Sequence, residues 1–143
     1  MYIITVIIVA EIPRNIWSFK DNKAPGPDNN APKLLKLISS DVIEPLSSIF
    51  NLSFSFGQVP QSLEIAQIIQ LHKKREKDKP GNYRTISLLS IFDNVLEKLM
   101  FNRMYSFLVQ NDILYKYQFG FRKGFSTSLA LIELLDTISL FSS

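Results

Sequence analysis

Apolar residues recur at helical spacing along most of this chain, and two short runs of β-type sequence interrupt them near the middle. Ile12, Ile16 and Phe19 stand at i, i+4 and i+7, with Pro13 in an opening turn that tolerates it. Pro32 opens a short helix carrying Leu34, Leu35 and Ile38. Val42, Leu46, Ile49, Phe50 and Phe54 form a stripe that Gly57 is placed to stop, and Pro45 must lie in that helix's first turn or kink it. Ile65 to Leu71 and Tyr83 to Leu89 read as paired strands, the second alternating Tyr83, Thr85 and Ser87 with Arg84, Ile86 and Leu88. Ser90 and Asp93 make a capping-box-like start for a helix over Phe92 to Leu108, with Phe92, Val95, Leu96, Leu99 and Met100 on its buried face. Ser126 or Thr127 caps a last helix whose core stripe is Leu131, Leu134, Leu135 and Ile138. The pattern predicts an α+β, mostly helical chain with one β-hairpin at about 65–89 among amphipathic helices.

The opening run, Met1 to Ala10, is apolar but far short of the roughly 20 residues that cross a membrane. It has no basic stretch before it and no small-residue cleavage site after it, which argues against a signal peptide. Ile, Val and Thr dominate it, so a strand is the local expectation. The chain's 143 residues allow one domain at most, and 46% hydrophobic content with 20% charge excludes a disordered tail. The absence of cysteine excludes a disulfide framework and cysteine-type zinc knuckles, and fits an intracellular protein, nuclear or cytoplasmic.

Net charge is only +3, yet 6 of the 16 Lys and Arg fall between Lys73 and Arg84. Five of the seven positions from Lys73 to Lys79 are cationic, and Pro80-Gly81-Asn82 turns the chain into the second strand. Cations gathered at a hairpin tip suit a polyanion such as a phosphate chain; alternatively they keep a strand edge soluble. Before this loop stands Lys23-Ala24-Pro25-Gly26-Pro27-Asp28, a rigid segment in which prolines fix φ and Gly26 supplies freedom between two of them. After it come Asn82-Tyr83-Arg84-Thr85-Ile86-Ser87-Leu88-Leu89 and then Gln118-Phe119-Gly120-Phe121-Arg122-Lys123-Gly124-Phe125-Ser126-Thr127.

In this order and at these spacings the words resemble the fingers and early palm of non-LTR retrotransposon reverse transcriptases, RNA-directed DNA polymerases. That family reads KAPGPDG, a VP turn, a PIHKKGDK-like basic loop, NYRPISLL, a long helix and QFGFRKGRST. The resemblance runs from about Glu11 to Ile138 and implies a partial reverse transcriptase domain over 11–143, with 1–10 as an apolar extension. It implies that Arg84 contacts the triphosphate of an incoming deoxynucleotide, with Lys73 or Lys74 as the point-charge partner. It also implies that the Gln118 segment meets the template, with Arg122 and Lys123 on phosphates and an aromatic under a base. Phe119 and Phe121 are equally suited to anchoring a Gly-hinged turn, and Asn82 and Gln118 to bracing the loops. His72, the sole histidine, reads as a polar strand end.

The family's chemistry uses Mg2+ held by aspartates of an F-x-D-like and a Y/F-x-D-D word, and neither follows the Gln118 segment in this chain. Asp93 with Glu97, and Glu133 with Asp136, read as solvated helix faces rather than metal ligands. No catalytic residue and no metal site is therefore assigned, and the chain alone is expected to be inactive. The implied partners are an RNA template, a DNA primer, a deoxynucleoside triphosphate and the rest of the palm, with no membrane. Four positions depart from the family pattern: Asn29 for Gly, Leu63 for Trp, Thr85 for Pro and Phe125 for Arg. Asn29 is compatible with a left-handed backbone, Thr85 is expected to loosen a strand end, and Phe125 to remove a cation and bare a ring. The alternatives are a non-catalytic nucleic-acid-binding or interaction module, and a relic with no retained role.

Overall fold

The structure is a computed structural model that describes residues 9–73 and 76–141. The strand expected in the opening run falls, up to Ile8, outside the described residues; Val9 and Ala10 form a turn. In chain order the elements are α1 (Glu11–Trp17), α2 (Pro32–Leu37), α3 (Ser39–Phe56), β1 (Ala66–His72), β2 (Tyr83–Leu89), α4 (Ile91–Gln110) and α5 (Thr127–Phe141). The chain divides into two units, Met1–Met104 and Tyr105–Ser143, with the boundary inside α4.

In the first unit, one apolar core joins α1 to α4. It consists of Ile12, Ile16, Leu35, Leu46, Phe50, Ile91, Val95, Leu96 and Leu99, flanked by Phe19, Val42, Ile43, Phe54, Leu63 and Phe92. These are the helical stripes read from the sequence, except that Leu34, Ile49 and Met100 are exposed. Polar bonds pin α4 to α1, Arg103 Nη2 donating to Glu11 Oε2 at 2.7 Å and Asn102 Nδ2 to Asn15 Oδ1 at 3.2 Å. The α3 helix ends at Gly57, whose φ of 64° is the left-handed stop that glycine permits. It begins at Ser39, earlier than its apolar stripe, so Pro45 lies inside the helix and not in its first turn.

The strands pair antiparallel in unbroken register, from Ala66 opposite Leu89 to His72 opposite Tyr83. Thr85 stands opposite Gln70 in mid-ladder and does not loosen a strand end. No residue of either strand is fully buried, so the hairpin is held to the helical core mainly through its base.

In the second unit, the end of α4 leads through a turn-rich segment into α5. Ser126 Oγ accepts the Leu129 N–H at 3.2 Å and is the cap of α5. The α5 stripe expected to be core is about half exposed at each of Leu131, Leu134, Leu135 and Ile138. No helix among the described residues is long and apolar enough to cross a membrane.

Candidate nucleic-acid interface

The hairpin builds its tip from local bonds. Lys73 N donates to Asn82 O at 2.7 Å, closing the ladder beyond His72 and Tyr83. Asn82 Nδ2 donates to Glu76 O at 2.7 Å and Tyr83 Oη to Lys77 O at 2.9 Å, so both side chains brace the loop. His72 is the last residue of β1, its ring 5.1 Å from that of Tyr83. Lys79 pairs with Glu76 at 2.5 Å, which neutralises part of the loop's charge.

Lys73 and Arg84 are both exposed, and among the described residues neither side chain has an ion-pair or hydrogen-bond partner. Arg84 is in register with Leu71, which places the two on the same face of the hairpin, next to the Ile69–Ile86 pair. The result is an accessible guanidinium over an apolar strip, one residue pair from the basic tip. Lys74, the alternative phosphate partner, and Arg75 lie outside the described residues.

At its base the hairpin meets the Lys23–Asp28 segment. Ser90 Oγ donates to Asp28 Oδ2 at 2.7 Å and accepts the Phe92 N–H at 3.2 Å, so one hydroxyl caps α4 and ties the loop. Asn30 donates to the same carboxylate through its side chain at 3.0 Å and its backbone at 3.3 Å. Burial pushes the Asp28 carboxyl up, but these bonds outweigh it and hold its pKa below the ordinary 3.8. Asn29 has a φ of 55°, the left-handed conformation that lets Asn replace the family's glycine. Gly26 does not supply conformational freedom, since its φ is not positive. It permits close approach instead: a Cβ there would lie 2.3 Å from the Leu89 carbonyl oxygen.

Asp93 does not complete the capping box; among the described residues it makes no bond back to Ser90. Nor does it lie on a solvated face, being only 8% exposed. Burial, and secondarily the charge of Glu97, raise its pKa from 3.8 to about 6. Glu133 and Asp136 are exposed, as a solvated face requires. Among the described residues no group of three or more His, Cys, Asp or Glu is arranged to hold a metal ion.

In the second unit the QFGFRKG turn separates residues that the sequence left equivalent. Phe119 is half-buried, edge-on to Phe125 at 5.7 Å, while Phe121 is fully exposed in a left-handed conformation, φ 58°. Such a backbone costs a non-glycine residue about 1–3 kcal/mol. Arg122 is turned inward, its guanidinium 4.2 Å from the Phe125 ring centroid and its Nη1 donating to Tyr115 O at 3.3 Å. Phe125 is therefore partly covered, although it replaces a cation of the family pattern. Gln118 Nε2 reaches only Gly120 O, at 3.3 Å, and braces the turn. Lys123 is exposed, its backbone N–H held by Tyr105 Oη at 3.1 Å. Phe121 and Lys123 are the outward-facing pair. The exposure of Phe121 had no sequence signal, because a local pattern does not reveal a left-handed aromatic.

No family model matches the chain. Similar curated proteins are found in Drosophila melanogaster. The probable RNA-directed DNA polymerase from transposon BS is 36% identical over 122 residues, 85% of this chain and 14% of that protein. The putative 115 kDa protein in type-1 retrotransposable element R1DM is 32% identical over 81% of this chain and 11% of that protein. The RNA-directed DNA polymerase from mobile element jockey is 28% identical over 93% of this chain and 15% of that protein. The chain thus spans about a seventh, or less, of the length of these relatives.

Proposed function

We propose that this chain, 36% identical over 85% of its own length to the probable RNA-directed DNA polymerase from transposon BS, belongs with the RNA-directed DNA polymerases of non-LTR retrotransposons and is the fingers and early-palm portion of such an enzyme. Its hairpin supplies contacts to the triphosphate of the incoming deoxynucleotide. The observation that carries this reading is Arg84, exposed and unpaired among the described residues, one residue pair from the cationic tip. A guanidinium presents a planar fork that binds two phosphate oxygens at once and keeps its charge at any working pH. Lys73, and Lys74 beside it, add point charges that follow the phosphates without fixing their orientation.

The exposed Phe121 gives a base of the template a stacking surface, and Lys123 meets the adjacent phosphate. Arg122 and Gln118 serve the turn's own structure, which keeps Phe121 outward. The metal-bound step lies outside this chain. Neither aspartate word follows the Gln118 segment, so in this reading these residues bind and orient the nucleotide and the template. The remaining partners are the RNA template, the DNA primer and the rest of the palm.

Titration of a deoxynucleoside triphosphate into the chain, followed by the backbone amide resonances of β1 and β2, tests the hairpin reading. Shifts centred on Lys73 and Arg84 are expected, with an affinity about tenfold or more weaker in Arg84→Ala, the loss of one charge-assisted contact. Equal affinity in Arg84→Ala, or shifts confined to other elements, overturns it.

A further inference from the structure

The two segments that meet at the hairpin base are far apart in sequence: Asp28 and Ser90 are separated by 62 positions. They grip a single point, the Leu89–Ser90 peptide, where β2 passes into α4. From one side Gly26 approaches so closely that a Cβ would stand 2.3 Å from Leu89 O, 2.5 Å from Leu89 C and 2.8 Å from Ser90 N. All three are backbone atoms, which cannot rotate out of the way. Asp28 takes the Ser90 hydroxyl at 2.7 Å. From α4, Asn94 Nδ2 donates to Leu89 O at 3.2 Å and Ser90 O at 2.7 Å, while its Oδ1 accepts from Lys23 Nζ, back in the loop. Lys23, Asn94 and Asp28 thus close a ring of bonds around that peptide.

Beyond this point the strands pack chiefly on each other and bury no residue completely. A two-stranded hairpin so exposed has little to fix its direction except its base. We propose that the Lys23–Asp28 segment is a clamp that sets the direction of the basic hairpin, with Gly26 and Asp28 as positioning residues for Arg84 and Lys73. The consequence for catalysis rests on the nucleotide-contact reading; the clamp itself does not. Arg84 is about 17 Å along the strand from Leu89 at ~3.3 Å per residue, so a rotation of about 10° at the base moves it about 3 Å. Misplacement by about 1 Å is enough to cost on the order of 100-fold in a reaction that depends on alignment.

The chain contains no cysteine, so paired cysteine substitutions accept nitroxide labels at unique sites. One pair, Lys77→Cys and Ser48→Cys, spans from the hairpin tip to the exposed side of α3; a control pair, Lys33→Cys and Ser48→Cys, stays within the helical body. Pulsed electron–electron resonance on the parent should give a narrow tip distance. Gly26→Ala should shift or broaden it by about 3 Å or more at the ~17 Å lever, and Asp28→Ala and Ser90→Ala should broaden it, each leaving the control pair unchanged. The exchange Asp28→Ser with Ser90→Asp should restore the narrow distance, since serine then donates in the opposite direction and aspartate still caps α4. A tip distance unchanged in Gly26→Ala and Asp28→Ala overturns the clamp. So does a control pair that moves with the tip, which would make these residues part of the core rather than a clamp. A tip that moves in Gly26→Ala while Arg84→Ala binds triphosphate like the parent would sink the nucleotide reading and leave the clamp standing.

Discussion

Replacing Asp93 by asparagine should stabilise the chain at neutral pH and remove a defined part of its pH dependence. Asp93 is 8% exposed at the start of α4, makes no hydrogen bond among the described residues, and has Glu97 one turn ahead. Burial first, and Glu97 second, raise its pKa from 3.8 to about 6. The folded state therefore binds this proton more tightly than the unfolded state does. Between pH 3.8 and about 6 the folded chain carries more protons, so stability falls as pH rises and levels off above that window. Each pH unit of difference is worth about 1.36 kcal/mol, which sets a ceiling of about 3 kcal/mol; screening by the remaining solvent reduces this to about 1–2 kcal/mol. Asp28 acts in the opposite sense and in a lower window. Its folded pKa lies below 3.8, so its contribution is complete above that value and is lost as pH falls through the folded pKa. Urea unfolding followed by far-ultraviolet circular dichroism at pH 4, 5, 6 and 7.5 separates the two carboxylates. The parent should weaken from pH 4 to 6. Asp93→Asn should be flat over that interval and about 1–2 kcal/mol more stable than the parent at pH 7.5. A slope in Asp93→Asn equal to the parent's would refute the assignment.

Three other outcomes follow from the same structure. Purified chain should not extend a primer with magnesium and deoxynucleotides, since neither aspartate word follows the Gln118 segment; template-dependent incorporation above an Arg84→Ala control would contradict this. The chain should bind single-stranded RNA or DNA with little sequence preference and a salt slope on the order of −0.7 per phosphate neutralised. Replacing Lys73, Lys74, Arg75, Lys77 and Lys79 by serine should flatten that slope, and an unchanged slope would move the binding surface to Lys123 and Phe121. The chain should also self-associate, because Phe101, Met104, Leu131, Ile132, Leu135 and Leu140 are exposed on α4 and α5. Sedimentation across a concentration series is the check; a monomer with a sharp cooperative melt would favour an independent module over a segment of a polymerase.

The hairpin was legible because its information is local: alternation of residues, a cationic tip and a Pro-Gly-Asn turn. The same holds for the Gly57 stop and the Ser126 cap, each written within a few residues. Gly26 is not legible locally: its proline neighbours suggest a conformational role, while its need for glycine comes from a peptide more than 60 positions away. The burial of Asp93 is hidden for a related reason. An acidic residue in a helix's first turn favours the dipole, and only tertiary packing determines that this one is buried. Met100 and the α5 stripe show the converse: an apolar pattern names a face suited to burial, not the surface that covers it. Phe119 and Phe121 are indistinguishable by residue type and differ through one left-handed backbone.

Single-nucleotide incorporation by a polymerase carrying this segment, measured at limiting deoxynucleotide for the parent, Arg84→Ala and Arg84→Lys, tests the central claim most directly. Loss of one charge-assisted phosphate contact is worth about 1.5–3 kcal/mol, so Arg84→Ala should lose roughly 10- to 150-fold in catalytic efficiency. Arg84→Lys should recover only part of that loss, because lysine keeps the charge but not the fork. Incorporation kinetics in Arg84→Ala that match the parent would contradict the account.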